Sequence, residues 1–69
     1  MKLNKNTKTL VNVGDMLVFS DSEKYRVVTI IEYNNRNGAR GFTLVDMKTG
    51  MHVYSMPSSM YYGAEIVKP

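Results

Sequence analysis

The chain has 69 residues, a formal net charge of +3 and no cysteine. That length suits one domain and argues against a deep enclosed catalytic pocket. The absence of cysteine excludes disulfides and thiolate-held metals. A fold of this size buries only about 60% of its unfolded surface, so stability rests on apolar residues, which make up 43% of the chain. No apolar run approaches the roughly 20 residues of a membrane-spanning helix. The first residues lack the apolar core of a signal peptide, and a cytoplasmic location is expected.

Met1 to Thr9 is polar, with Lys2, Lys5 and Lys8 recurring every third residue. The composition reads as a flexible basic arm preceding a single β-barrel domain over residues 10–69. Its lysines serve either as a solvated tail or as contacts to phosphates. Val13-Gly14-Asp15 is a turn signal leading into a first strand, Met16 to Phe19. Ser20 to Lys24 is a polar turn. Tyr25 to Tyr33 is the strongest strand, dominated by β-branched and aromatic residues with no Gly or Pro. Asn34 to Gly41 is a loop of Asn, Arg and Gly. Phe42 to Met47 and Met51 to Met56 form a hairpin around Lys48-Thr49-Gly50, a three-residue turn closed by a left-handed glycine. Pro57 stops the fourth strand. Ser58 to Tyr62 forms one helical turn, with Ser58 as N-cap and Gly63 past its end. Ala64 to Val67 is the last strand. The predicted fold is all-β: a small five-stranded barrel with one short helical turn before the last strand.

This order resembles that of Src-homology-3-like barrels. Lys48-Thr49-Gly50 and Pro57-Ser58-Ser59-Met60-Tyr61 look like the distal hairpin and the Pro-Ser-x-x-aromatic turn of that fold. Val13-Gly14-Asp15 looks like the opening of small bacterial and phage barrels of the class. The peptide-binding members carry an Ala-Leu-Tyr-Asp-Tyr stretch and a groove tryptophan. This chain has neither, so the resemblance implies the fold and not the binding of proline-rich peptides.

A two-residue turn at Asn37-Gly38 places Tyr33 opposite Phe42 and Ile31 opposite Leu44. The bulged turn at Lys48-Thr49-Gly50 places Met47 opposite Met51 and Val45 opposite Val53. One face then carries Ile31, Tyr33, Phe42, Leu44, Tyr54 and Met56 as core, with Leu17, Phe19 and Ile66 also expected inside. The other carries Val45, Met47, Met51 and Val53 as a partly exposed patch.

Catalysis is not expected. His52 is the sole histidine, and Asp46 across the hairpin reads as a surface neighbour rather than a triad member. No serine lies in a nucleophile elbow, and no metal, calcium or phosphate motif is present. No cofactor is implied. Two binding functions remain. The first is docking of a larger protein through Val45, Met47, Met51 and Val53, with Tyr61 or Tyr62 as aromatic anchor. The second is nucleic-acid binding through Lys2, Lys5, Lys8, Arg36 and Arg40 on phosphates, with tyrosines as stacking surfaces. The Asn- and Lys-rich composition resembles that of phage or AT-rich bacterial accessory proteins. Protein docking is the favoured reading, with the chain a monomer or a weak dimer.

Overall fold

In the computed structural model, which describes residues 1–33 and 39–69, five antiparallel strands form one open sheet. They are β1 (Met16–Ser20), β2 (Glu23–Glu32), β3 (Arg40–Asp46), β4 (His52–Pro57) and β5 (Glu65–Val67). Their order across the sheet is β4-β3-β2-β1-β5, so β4 and β5 are its edges. Short 3₁₀ turns occupy Lys8–Leu10 and Ser58–Tyr61. No helix among the described residues is long and apolar enough to cross a membrane.

The β-branched run that marks β2 in the sequence makes it the central strand. Its first half, Glu23 to Arg26, pairs with β1, while Tyr25 to Glu32 pairs with β3. A bulge between Val27 and Thr29 separates the two halves. A bulge bends its strand. Here the bend is where the loop before β1 attaches: Gly14 donates to the Val27 carbonyl (2.8 Å) and Val27 donates to that of Asp15 (2.9 Å).

Both hairpin registers differ from the sequence expectation. Ile30 faces Phe42 and Ile31 faces Gly41, a shift of three residues from the predicted pairing. An odd shift exchanges the faces of a strand. Tyr25, Val27 and Ile30 therefore supply β2's contribution to the core, while Ile31 and Tyr33 lie exposed. Tyr33 closes the hairpin by donating to the Ala39 carbonyl, and its ring covers Gly41, where a Cβ would meet the hydroxyl at 2.9 Å. The expected turn at Asn37-Gly38 lies outside the described residues. In the second hairpin the loop holds four residues, Met47 to Gly50. Asp46 donates to the Met51 carbonyl (2.9 Å), and Gly50, at φ 76°, donates to the Asp46 carbonyl (2.7 Å). The Asp46 carboxylate also accepts from the Lys48 amide (2.9 Å), an Asx turn that starts the loop one residue early. Val45 consequently faces His52 and Leu44 faces Val53.

Leu3, Val11, Leu17, Val27, Phe42, Leu44, Tyr61, Ala64 and Ile66 form the buried core. Phe19, expected there, sits at the β1 bulge and is exposed, its ring edge-on to Tyr25 at 6.4 Å. Burial pushes the Tyr61 hydroxyl pKa above its ordinary value, and neighbouring Tyr25 adds to the rise. Ser58 is buried inside the second 3₁₀ turn rather than capping it; Pro57 occupies the N-cap position.

Residues 1–9 are part of the fold, not a loose arm. Leu3 is fully buried, and its amide and carbonyl bond Ala64 and Gly63 (both 2.8 Å). Ile66 donates to the Met1 carbonyl (2.8 Å), and Lys2 bridges Glu65. The N-terminal ammonium pairs with the Glu65 carboxylate, and that hydrogen bond is the main cause holding its pKa below the usual range. The one aliphatic side chain in a polar segment was the available signal; a buried Leu3 holds residues 1–3 along the β5 edge.

Ser55, at φ 52°, is the one described non-glycine residue with a left-handed backbone. It lies at the β4 bulge, where its amide donates to the Thr43 hydroxyl (3.2 Å). That conformation costs an L-residue about 1–2 kcal/mol. Ser55→Gly is expected to raise stability by up to ~1 kcal/mol, after glycine's larger loss of freedom on folding. Urea denaturation checks this; a loss of stability would mean that the serine side chain stabilises the bulge.

Candidate protein-binding surface

Partners facing each other across an antiparallel pair point to the same side of the sheet. Leu44 is core, so Val53 opposite it lies on the core side and is half-buried. Val45 and His52 lie on the other side. Following the pairing across the sheet, Val67, Met16, Arg26, Val45 and His52 form one row spanning all five strands on the face away from the core. Tyr54 joins its β4 end, its ring stacked on His52 at 5.7 Å and 17°. Met51 precedes His52. Tyr54 is 71% exposed and Met51 69%, the most exposed large apolar side chains among the described residues.

The predicted patch is thus redistributed. Val45 and Val53 fall on opposite faces and do not form one cluster. Met47, also exposed, lines a shallow depression with Asp21, Ser22, Lys24 and Lys48, and Asp46 rather than Met47 stands opposite Met51. Tyr61 is core and offers no anchor; Tyr62 is half-buried against the core. His52 and Tyr54 were missed as binding candidates. The i, i+2 aromatic spacing was visible, but the shifted register gave Tyr54 the core face.

Of the cationic candidates among the described residues, Arg40 is engaged within the fold. Arg40 is only 10% exposed, and its guanidinium donates to the backbone carbonyls of Lys8 and Val11 (2.9 Å each) and to Glu32 (2.8 Å). It fastens the segment before β1 to β3 and does not present its fork to a phosphate. Lys5 and Lys2 are exposed, and Lys8 is half-buried within the first 3₁₀ turn. Arg36 lies outside the described residues. Another cation, Lys68, pairs with buried Asp15 at 2.6 Å and also donates to the Leu10 carbonyl (2.7 Å).

The charge distribution singles out the same region as the exposed side chains. From Thr49 to Ala64 the sequence has no Asp, Glu, Lys or Arg, the longest such run in a chain that is 22% charged. This run contains all of β4. Comparison with protein-family models, curated proteins and solved structures returned no match to the chain.

Proposed function

We propose that this chain is a small Src-homology-3-like barrel acting as a non-catalytic binding module. In this reading it is an accessory protein of phage or bacterial type that works in the cytoplasm by docking on a larger protein. The strand order and the 3₁₀ turn following Pro57 support the barrel assignment. One observation carries the docking reading: His52 and Tyr54 stand exposed with stacked rings on a charge-free edge strand, and the exposed Met51 immediately precedes that strand. Exposed apolar clusters mark interfaces, aromatic residues often dominate interface energy, and methionine adapts to a partner's shape.

The test is affinity capture with and without nuclease, using wild type, Met51→Glu and Val13→Glu. Val13 is 60% exposed and lies outside this surface, which makes it the control. Both variants should stay within ~0.5 kcal/mol of wild-type stability, as surface substitutions do. The expected result is a protein partner that survives nuclease, is retained by Val13→Glu and is lost by Met51→Glu. Capture that disappears on nuclease treatment would favour nucleic-acid binding through the exposed lysines.

A further inference from the structure

The two edges of the sheet are treated differently. The β5 edge is covered by residues 1–3 through the Met1–Ile66 and Leu3–Ala64 hydrogen bonds. The β4 edge pairs only with β3 among the described residues. Natural proteins usually guard an open edge with lysines, proline or a bulge. β4 has no charged side chain, and its bulge, which sets Tyr54 and Ser55 against Thr43, and its Pro57 lie toward the C-terminal end, leaving Met51 to Val53 ahead of both guards.

The direction of the backbone groups follows from the ladder. Bonded and non-bonded pairs alternate along antiparallel strands. Asp46 donates to Met51, so Val45–His52 is a non-bonded pair and Leu44–Val53 a bonded one. His52 and Tyr54 therefore turn their amides and carbonyls away from β3, whereas Val53 turns its own toward it.

We propose that β4 pairs with β4 of a second copy of this chain, antiparallel about a two-fold axis through Val53. In this register His52 faces Tyr54 of the second copy and Tyr54 faces its His52. The outward backbone groups of both strands then satisfy one another, and Val53 faces itself in a non-bonded pair. The stacked His52 and Tyr54 rings of each copy meet those of the other on one face, as favourable aromatic cross-strand pairs do. The register is self-complementary, which fits a second copy, and charge does not oppose it. Each copy carries +3, yet the Thr49 to Ala64 run brings no like charges together at the seam. Because the β5 edge is covered, the pairing closes at two copies instead of extending into a filament. The dimer brings the His52 and Tyr54 rings of both copies together on one sheet face and does not depend on the docking reading.

The test uses the full chain. Sedimentation equilibrium from about 10 μM to about 1 mM spans the affinities expected of a short seam. It should show a concentration-dependent species of twice the 7.9 kDa chain mass. Tyr54→Lys should remain monomeric over the same range with an unchanged circular dichroism spectrum. Facing non-bonded residues are about 4.5 Å apart at Cα, within disulfide reach. In this cysteine-free chain Val53→Cys should oxidise to a covalent dimer on the order of tenfold faster than a Thr49→Cys control, because pairing concentrates the thiols. A wild-type monomer at the highest concentration would overturn the proposal. So would a dimer that persists in Tyr54→Lys, or equal oxidation rates at positions 53 and 49. A monomer that still loses its captured partner in Met51→Glu would sink the dimer and leave the docking function standing.

Discussion

Arg40→Ala is expected to lower the unfolding free energy by about 2–5 kcal/mol, because it removes two charge-assisted hydrogen bonds to backbone carbonyls in a largely buried setting. Small domains have stabilities that begin near 5 kcal/mol, so much of this variant should be unfolded at room temperature. The Arg40 side chain is nine-tenths buried while Glu32, its ion-pair partner, is 73% exposed. The energy therefore lies in the contacts to the Lys8 and Val11 carbonyls and not in the ion pair. Glu32→Ala should cost no more than about 1 kcal/mol, as exposed pairs do. Arg40→Lys should fail to restore stability, since a single ammonium does not reproduce a planar fork reaching three acceptors. Urea denaturation of the three variants separates these terms. An Arg40→Ala protein as stable as wild type would release the guanidinium from its structural role and return it to the nucleic-acid reading.

The order of elements along the chain and their approximate boundaries were legible because they depend on local signals. The β-branched run of β2, Gly14 before β1, Gly50 in the hairpin and Pro57 at the end of β4 each act through their own backbone. Register was not legible, because it is decided by contacts between distant residues. Asn37-Gly38 is a strong short-range hairpin signal, yet the ladder on either side closes at Tyr33 and Ala39. The Asx turn of Asp46 lengthened the other loop by one residue. Each shift moved side chains between faces, and the candidate site moved with them: Met51 stayed exposed, Tyr54 became exposed, and Val53 joined the core side. Arg40 looked like a ligand-binding arginine because its two carbonyl acceptors lie 32 and 29 residues away in sequence. Nothing local to Arg40 announces that use.

Leu3→Ala tests the same lesson at the N-terminus, where composition suggested an arm. A leucine in a flexible arm could be truncated within about 0.5 kcal/mol. Leu3 is instead as fully buried as Leu44 in the middle of β3. Deleting its side chain removes apolar burial and leaves a cavity, which costs about 2–5 kcal/mol in such cores. Leu3→Ala and Leu44→Ala should therefore destabilise the chain by similar amounts. The consequences should differ in place. Leu44 is held between β2 and β4, so its loss weakens the centre of the sheet. Leu3 fastens residues 1–3 along β5, so its loss should first loosen that edge, exposing the backbone groups of Ala64 and Ile66 that now bond Leu3 and Met1. Hydrogen exchange reads this directly: in Leu3→Ala the Leu3, Gly63 and Ile66 amides should lose protection before those of β2 and β3. An uncovered β5 edge also gives the sheet a second open side, so this variant should form species larger than a dimer at high concentration. A Leu3→Ala protein with wild-type stability and unchanged exchange at Ile66 would restore the arm and remove the covered edge on which closure at two copies depends.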